Sequence, residues 1–256
     1  MQADRFDVKG RVALVTGASS GLGESFARSL AQSGAIVVAA ARRQERLAKL
    51  VAEISAAGGK AHAVSLDVAD PKSVEAAFAT IVKTIGVPQI VVNNAGIGSA
   101  KPAIDLTEED WRSMMATNLD GAFRVAQAAA KAMVAAKKPG SIVNIASILG
   151  LRVANNLASY ATAKAGLVQL TKALALEWAR YGVRVNAIAP GYVETEMNQG
   201  MFDTEAGQAL IKRVPMRRIG VAGELEGALF LLASDAGSYM TGSVITVDGG
   251  HSTNSL

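Results

Sequence analysis

A chain of 256 residues that is 50% hydrophobic and 19% charged can bury a large core, which excludes a disordered protein. It has no cysteine, so it can form neither disulfides nor thiolate metal sites. Its two histidines, His62 and His251, have no partner at ligand spacing, so we expect no metal. The net charge of +4 is spread without a basic arm, which argues against nucleic-acid binding.

The sequence shows no membrane or export signal. No apolar run reaches the roughly 18–20 residues that span a bilayer. The first ten residues are polar and lack the apolar core of a signal peptide. Without cysteines the chain needs no oxidising compartment. We therefore expect a cytoplasmic protein with no membrane partner.

Short β-branched runs alternate with longer amphipathic stretches, a pattern typical of βαβ units with parallel strands. Each predicted strand is mostly apolar, as a strand covered by helices on both faces must be. The predicted strands are 12–16, 36–40, 61–66, 90–93, 141–146, 184–189 and 243–247. The predicted helices lie near 23–33, 44–57, 71–85, 108–136, 158–181 and 223–233. We expect one domain over residues 1–256, with the aperiodic stretch 194–215 as a lid over the substrate.

A glycine-rich turn joins the first strand to the first helix, where residues 13–23 read ALVTGASSGLG. Glycines let the backbone approach a pyrophosphate, and the helix N-terminus offers free N–H groups and a positive dipole. The spacing is not the G-x-G-x-x-G fingerprint, and a purely structural turn is the alternative. Its position at the first βα turn of a long βαβ series favours dinucleotide binding.

Tyr160 and Lys164 are one helical turn apart in the predicted helix 158–181, which places them on one face, roughly 6 Å apart. A free phenol has a pKa near 10 and is a poor base at neutral pH. A nearby ammonium favours the phenolate, so we expect Lys164 to lower the pKa of Tyr160. Ser147 follows the fifth strand, where its hydroxyl can bond a substrate oxygen. Taken singly, each of these residues has a structural explanation, such as a turn for Ser147.

Several motifs occur together and in order: Thr16-Gly-x-x-x-Gly-x-Gly23, Asn93-Asn-Ala-Gly96, Ser147, Tyr160-x-x-x-Lys164 and Pro190-Gly191. With them the chain resembles the single-domain short-chain dehydrogenases/reductases from about residue 9 to residue 250. The resemblance implies a Rossmann-like, doubly wound α/β fold. Its parallel seven-stranded sheet would have the order 3-2-1-4-5-6-7 and helices on both faces, in three α/β/α layers.

The resemblance also implies an activity, the NAD(P)(H)-dependent interconversion of a secondary alcohol and a ketone. Tyr160 would be the general acid/base and Ser147 would bond the reacting oxygen. Lys164 would hold the nicotinamide ribose, and Asn118 would support a water chain that feeds protons to Lys164. Thr195 matches the family's contact to the nicotinamide carboxamide.

The remaining cofactor contacts follow the carboxyl ends of the strands. Asp67 resembles the residue that bonds the adenine amino group, with a turn cap before Pro71 as the alternative. Asn94 and Gly96 match the segment that lines the adenosine ribose, whereas Asn93 is expected to brace neighbouring strands. The implied cofactor-binding residues are Gly17, Ser19, Ser20, Gly21, Leu22, Gly23, Arg42, Arg43, Asp67, Val68, Asn94, Ala95, Gly96, Tyr160, Lys164, Pro190, Gly191, Val193 and Thr195.

The end of the second strand bears on which cofactor binds. An acid there would bond the ribose 2′-OH of NAD, and an arginine would bind the 2′-phosphate of NADP. Ala41 stands where the acid would be, and the planar guanidinium of Arg42 suits a phosphate. Arg42 and Arg43 could instead be surface residues that open a helix. We expect NADP(H), with NAD(H) as the alternative.

The motifs do not specify the substrate. The residues expected to face it are mostly apolar and favour a medium-sized ketone or secondary alcohol. Arg152 keeps open an acidic group, such as an acyl-thioester carrier or a keto acid, and Asn155 keeps open a sugar. The expected substrate-facing residues are Gly98, Ser147, Leu149, Arg152, Asn155, Tyr160, Tyr192, Met197, Met201 and Phe202.

Two other kinds of function were open on this scaffold. A regulatory protein that binds NADP(H) without turnover would not need Ser147, Tyr160 and Lys164 together. Sugar-nucleotide epimerases usually have a longer chain with a substrate domain. Enoyl reductases typically have a Tyr-x6-Lys motif, whereas this chain has Tyr160-x-x-x-Lys164.

The stretches 110–136 and 158–181 are richer in apolar residues than one buried face requires. One face could pack on the sheet and the other on its copy across a two-fold axis. The resemblance implies the same pairing and a second contact through the last helix and strand, so we expect a homotetramer. Small alanines that let the helices sit close to the sheet of a monomer are the alternative. The apolar residues concerned are Ala122, Phe123, Val125, Ala126, Ala128, Ala129, Ala130, Ala132, Met133, Leu167, Val168, Leu170, Ala173, Leu174, Leu176 and Trp178.

Overall fold

The computed structural model describes residues 5–198 and 200–253, without the side chain of Met197. The strands are β1 (Val12–Thr16), β2 (Ile36–Ala41), β3 (Lys60–Ser65), β4 (Ile90–Asn93), β5 (Gly140–Ile145), β6 (Val183–Pro190) and β7 (Val244–Val247). They form one parallel sheet in the order β3-β2-β1-β4-β5-β6-β7, which confirms the predicted Rossmann-like topology. The strand order reverses between β1 and β4, and such a switch point opens a crevice at the carboxyl ends of the strands.

Eight α-helices surround the sheet in the part of the chain that the structure describes. They are α1 (Gly21–Gln32), α2 (Gln44–Ala56), α3 (Pro71–Thr84), α4 (Glu108–Met115), α5 (Gly121–Ala135), α6 (Ala158–Trp178), α7 (Glu205–Ile211) and α8 (Glu226–Ala233). Asp70 caps α3 by accepting a 2.9 Å hydrogen bond from the Lys72 backbone N–H. Among residues 5–198 and 200–253, no helix is both long and apolar enough to cross a membrane.

The core has two layers because the side chains of each strand alternate across the sheet. Ala13 and Val15 of β1 face a layer built with α1, α2 and α8. Val12 and Leu14 face the opposite layer, built with α3, α5 and α6. All of β1 is buried, as the apolar composition of the strand predicted.

Buried polar side chains tie the middle strands to the helices behind them. The Asn93 amide donates to Asn144 Oδ1 at 2.9 Å and to the Ala122 carbonyl at 3.1 Å. The Asn144 amide donates to Thr171 Oγ1 at 2.9 Å. These bonds join β4 and β5 to α5 and α6, and they confirm Asn93 as a brace.

The predicted helix 108–136 is wrong in its middle, where a π-helical turn at Ala116–Asp120 separates α4 from α5. The Asn118 amide donates to the Ile97 carbonyl at 2.8 Å, and its oxygen accepts from the Ile97 N–H at 2.8 Å. A π-turn holds one extra residue, which turns this amide away from the helix ladder. Gly121 then starts α5 where a Cβ would lie 2.7 Å from Val68 Cγ2.

The stretch 194–215 contains a helix that its sequence pattern did not predict. Thr204 caps α7 by accepting a 3.1 Å bond from the Gly207 N–H, and short 3-10 turns precede the helix. Elsewhere, element ends differ from the prediction by only a few residues. The largest such shifts are 3-10 turns at Ala179–Tyr181 and Ala222–Leu225, where regular helix was predicted.

The apolar residues of α5 and α6 mostly face their own core. Val125, Ala129, Met133 and Leu167 are among the residues fully or almost fully buried in the single chain. Leu176, in contrast, is 84% exposed. The second apolar face is therefore narrower than the sequence suggested.

Candidate active site

A cleft of about 600 Å³ lies at the carboxyl ends of the strands. It brings together residues that are far apart in sequence, from the ends of β1, β2, β3, β4, β5 and β6. Predicted cofactor residues that line it are Gly17, Ser19, Ser20, Gly21, Leu22, Arg42, Arg43, Asp67, Val68, Asn94, Ala95, Gly96, Tyr160, Lys164, Pro190, Gly191, Val193 and Thr195. Gly23 belongs to the same loop but does not line the cleft.

Two requirements of backbone geometry explain the glycines of the first βα turn. Gly17 and Gly21 have positive φ of 67° and 57°, which favours glycine. A Cβ on Gly23 would lie 2.4 Å from the Gly17 carbonyl oxygen. Gly17 and Gly21 thus shape the loop that faces the cleft, whereas Gly23 lets the helix pack against that loop.

Thr16 and Asn94 fasten the glycine loop to the turn after β4. The Thr16 hydroxyl accepts hydrogen bonds from the backbone N–H groups of Asn94 and Ala95, both at 3.0 Å. The Asn94 side-chain amide donates to the Thr16 carbonyl at 3.0 Å. Because the Asn94 amide nitrogen already donates to the Thr16 carbonyl, its main role in this structure is to hold the glycine loop in place.

The two arginines after β2 lie differently. Arg43 donates to Ser19 Oγ at 2.9 Å and to Ser20 Oγ at 2.6 Å, so it lies against the glycine loop. The Arg42 side chain is 72% exposed, with its Nη1 3.9 Å from Asp67 Oδ2. Arg42 is therefore the more available of the two for a ligand.

Asp67 lies just after β3 (Lys60–Ser65) and forms a turn of its own. Its Oδ1 accepts from the Ala69 N–H at 3.0 Å, whereas Asp70 caps α3. The alternative prediction, that Asp67 is a turn residue, therefore holds for its Oδ1 atom. Asp67 still lines the cleft, so this turn does not exclude a ligand contact.

Ser147, Tyr160 and Lys164 meet where β5 ends and α6 begins. The Ser147 hydroxyl accepts from the Leu149 N–H at 3.1 Å and shares a hydrogen bond with Tyr160. Lys164 is buried, and its Nζ donates to the Ile145 carbonyl at 2.7 Å. The same Nζ lies 5.7 Å from the centre of the Tyr160 ring.

The expected direction of the Tyr160 pKa is wrong for this structure. Burial raises the pKa of the Tyr160 phenol, and the hydrogen bond with Ser147 opposes this only in part. Burial also lowers the pKa of Lys164 to about 8. Desolvation is the largest cause of both shifts, and neither pKa shows an effect of the other group. The Lys164 ammonium donates to the Ile145 carbonyl instead.

Asn118 lies outside the cleft lining and makes no hydrogen bond with Lys164. Its amide engages Ile97 from both sides and also contacts Met114 Sδ at 2.9 Å. Ile97 itself lines the cleft. The contacts of Asn118 thus hold the chain that follows β4, and the water chain stays a prediction.

The predicted substrate-facing residues divide into two groups. Those that line the cleft are Gly98, Ser147, Leu149, Tyr160, Tyr192 and Met201. Arg152 and Asn155 are exposed outside it, and Phe202 is buried. The side chain of Met197 lies outside the described part of the chain.

The sequence analysis missed some apolar residues of the cleft. Ile97, Ile148 and Leu157 line it. Each is next to or near a motif residue in sequence: Ile97 follows Gly96, Ile148 follows Ser147, and Leu157 precedes α6. Proximity to the motifs was the signal that could have found them.

Comparisons with known proteins agree with this geometry. Residues 17–252 match the family described as enoyl-(acyl carrier protein) reductase. The 3-oxoacyl-[acyl-carrier-protein] reductase FabG of Escherichia coli (strain K12) is 38% identical over 94% of this chain and 97% of its own.

Solved structures are similar over nearly the whole chain. A short-chain type dehydrogenase/reductase from Mycobacterium marinum is 40% identical with a TM-score of 0.92, over 97% of this chain and 98% of its own. A gluconate 5-dehydrogenase from Burkholderia cenocepacia J2315, in complex with NADP and tartrate, is 40% identical with a TM-score of 0.95, over 98% and 99%.

This chain belongs to the short-chain dehydrogenase/reductase family. It is an NAD(P)-dependent oxidoreductase that interconverts an alcohol and a ketone.

The residues of the cleft fit a nicotinamide dinucleotide. Ser20 is the N-cap of α1, but its side chain makes no capping bond and accepts from Arg43 instead. The first-turn N–H groups of α1 are therefore not used by that side chain, and such groups bind phosphate. A Cβ on Gly17 would lie 2.9 Å from Ala95 Cα, so glycine is needed for the loop to pack this close to the turn after β4.

The buried amine of Lys164 gives a testable effect on stability. Between pH 10.5 and about 8, the unfolded chain holds a proton on Lys164 that the folded chain lacks. The folded protein thus loses stability as the pH falls through that window, and the loss stays complete below it. Lys164→Met removes this loss. The free energy of unfolding of the variant minus that of the parent should increase as the pH falls from about 10 to about 7. The increase should be at most about 3 kcal/mol.

Urea unfolding at a fixed protein concentration and several pH values measures this difference. Lys172→Met on the exposed side of α6 is the control, since it relieves no buried charge. A difference between Lys164→Met and the parent that is independent of pH would contradict the assignment.

Proposed function

We propose that this protein is an NADP(H)-dependent ketone reductase and secondary-alcohol dehydrogenase in which Tyr160 transfers the proton. One observation carries the proposal. Ser147, Tyr160 and Lys164 meet in the same cleft as the glycine loop and the arginines after β2. A regulatory protein without turnover has no need of this convergence.

The chain's own residues would act on the substrate oxygen. The nicotinamide ring, when bound, supplies or accepts the hydride. Burial raises the pKa of Tyr160, which keeps its phenol protonated and ready to donate to a carbonyl oxygen. The Ser147 oxygen accepts from the Leu149 N–H, and its hydroxyl hydrogen, which here meets Tyr160, would turn to the substrate oxygen. Two donors then meet the negative charge that develops on the oxygen.

Lys164 would hold the cofactor ribose and Asn118 would act at a distance. The Lys164 ammonium has three donors, of which the Ile145 carbonyl takes one. The other two are available to ribose hydroxyls. Asn118 would keep Ile97 in place beside them and support the predicted water chain.

Replacing Tyr160 by Phe tests the proton-transfer role. The variant keeps the ring and loses the hydroxyl, so kcat should fall by roughly two to four orders of magnitude. Cofactor affinity should stay nearly the same. Absorbance of the reduced nicotinamide follows turnover, and fluorescence titration follows binding. Tyr181→Phe, at an exposed tyrosine that does not line the cleft, is the control. Activity of Tyr160→Phe within about a factor of ten of the parent would refute the role.

The basic residues after β2 support NADP(H) over NAD(H). Arg42 is exposed at the cleft, and its guanidinium can bind a phosphate with two donors. Ala41 offers no carboxylate to bond a ribose 2′-OH or to repel the phosphate. Arg43 would act on both cofactors, because it holds the serines of the phosphate loop.

Two substitutions separate these roles. Arg42→Ala should lower the ratio of kcat/KM for NADPH to that for NADH by about tenfold, because only NADPH carries the phosphate. Arg43→Ala should weaken both cofactors together. Lys49→Ala on the exposed side of α2 is the control. A parent that prefers NADH, or an unchanged ratio in Arg42→Ala, would refute the proposal.

The substrate end of the cleft favours a medium-sized, largely apolar ketone. Leu149, Leu157 and Met201 line it beside the phenol of Tyr192. Outside the cleft, Arg152 leaves an acidic group open and Asn155 leaves a sugar open. Turnover of NADPH with a panel of cyclic ketones, 3-oxo esters, keto acids and keto sugars identifies the class.

We propose that residues 194–215 act as a lid. Glu196 at their start lines the cleft and forms a 2.6 Å ion pair with Arg46 of α2. The preceding Thr195 also lines the cleft and would contact the nicotinamide. The helix α7 gives the lid a stiff outer part.

A homotetramer is part of this proposal. Exposed apolar side chains support it at two places: Trp111 with Phe123 on α4 and α5, and Leu176 on α6. The fully exposed Tyr239, which precedes β7, supports the predicted contact through the last helix and strand. Sedimentation equilibrium at micromolar concentration should give four times the subunit mass. A mass near 26.4 kDa would refute the tetramer, and a stable dimer would leave one contact.

A further inference from the structure

Tyr192 is held by its backbone and its ring, while its hydroxyl is unengaged. The residue follows β6, and its carbonyl accepts from the Gly220 N–H at 2.9 Å. The preceding Gly191 donates its N–H to the Val247 carbonyl at 2.9 Å. Within the described residues, the Tyr192 hydroxyl makes no hydrogen bond, and the side chain lines the cleft. The hydroxyl is thus available to a substrate.

Two rings fix the direction of the Tyr192 side chain. Phe202 of the lid is buried and meets it edge-on, with the ring centres 6.1 Å apart. His251 lies on another side, with the ring centres 5.5 Å apart and the planes tilted by 36°. His251 comes from the turn after β7, and its sequence context indicated only that it has no partner for a metal.

The turn that carries His251 is firmly built. The Asp248 carboxylate accepts from the Gly250 N–H at 2.9 Å and from the Ser252 N–H at 2.6 Å. The His251 N–H donates to the Asp248 carbonyl at 3.1 Å. Arg152 closes the arrangement by donating to the Ser252 carbonyl at 2.7 Å. Arg152 comes from the segment just after Ser147, so the turn is tied to the substrate side of the cleft.

The same turn also supports the backbone next to Tyr192. A Cβ on Gly191 would lie 2.7 Å from Asp248 Cα, so the two segments are in direct contact. The ring of Tyr192 and the backbone of the preceding Gly191 therefore both rest on residues 248–251.

The imidazole of His251 is an unusual choice for a purely structural ring. Its Nδ1 is buried without a hydrogen-bond partner among the described residues. An apolar ring would fill this space without leaving a polar atom unpaired. Groups that act on its charge surround it: the Asp248 carboxylate favours the protonated ring, and Arg152 and Arg213 oppose it. Burial lowers the pKa of His251, which keeps the ring neutral near pH 7.

We propose that His251 is a positioning residue, whose neutral ring backs Tyr192 and aims the Tyr192 hydroxyl at the substrate. This inference rests on the proposed reductase function. Through His251 the turn after β7 determines substrate recognition without touching the reacting atoms. Protonation of the ring would place a cation beside two guanidinium groups and disturb this support.

Steady-state kinetics with NADPH and two probe ketones, ethyl acetoacetate and cyclohexanone, test the inference. His251→Ala should raise the KM of the ketone by about tenfold and leave kcat and the Kd of NADPH within about twofold. His251→Phe keeps a flat ring and should restore most of the KM at pH 7.5. Ser252→Ala is the matched control, because Ser252 holds the turn by its backbone only.

Two further readouts separate positioning from general damage. In a Tyr192→Ala background, His251→Ala should change kcat/KM by less than about twofold, since its effect acts through Tyr192. As the pH falls from about 6.5 to about 5, the KM of the parent should rise and that of His251→Phe should not, because burial lowers the pKa of His251 below its ordinary value. If His251→Ala does not fold, His251→Gln takes its place in the cycle.

The outcomes are distinct. A parent with no turnover of any ketone overturns the proposed function and this inference with it. A parent that turns over, with additive effects of the two substitutions or with equal pH profiles, overturns the inference alone. A loss of NADPH affinity in His251→Ala would also overturn it, because His251 is not among the residues expected to hold the cofactor.

Discussion

The buried amine of Lys164 is the constraint around which the site is built. An amine in the interior loses the hydration of its charge, and it is tolerated only where a polar group meets it. That group is the Ile145 carbonyl, the last residue of β5. The bond sets the first turns of α6 against the end of the strand. Tyr160, one turn earlier on the helix, is thereby brought to Ser147 at the strand's end.

The rest of the fold serves this junction. The amide ladder from Asn93 through Asn144 to Thr171 fixes α6 relative to β4 and β5. The glycine loop is fixed to the turn after β4 by Thr16. Because both faces of the sheet are covered by helices, functional side chains have only the strand ends on which to meet. The site therefore lies at the carboxyl ends of the strands, beyond the helices that cover the two faces of the sheet.

Much of this could be read from the sequence. Short apolar runs between amphipathic stretches predicted the strands. The capping side chain of Asp70 and the glycines after the first strand predicted where the helices that connect them begin. The spacing of Tyr160 and Lys164 predicted a shared helix face. These features depend on residues close together in the chain, so local patterns were enough to find them.

Other features depend on contacts between distant segments. At the π-turn, the amide of Asn118 bonds Ile97, which lies 21 residues earlier in the chain. No local sequence pattern indicates a contact between residues so far apart. The direction of the Tyr160 pKa depends on burial, which only the assembled core determines. The ring of His251 behind Tyr192 joins two strand ends that lie side by side only in the sheet.

The division of the cleft along the chain has an evolutionary consequence. The loops after β1, β2 and β3 carry only residues expected for the cofactor, whereas the loops after β4 and β6 carry expected contacts of both kinds. The turn after β7 supports the ring of Tyr192 and does not itself line the cleft. Mutations in that turn can therefore change what is recognised while the residues expected to hold the dinucleotide persist. Such a layout allows one ancestral scaffold to diversify, as relatives named as a 3-oxoacyl-[acyl-carrier-protein] reductase and a gluconate 5-dehydrogenase illustrate.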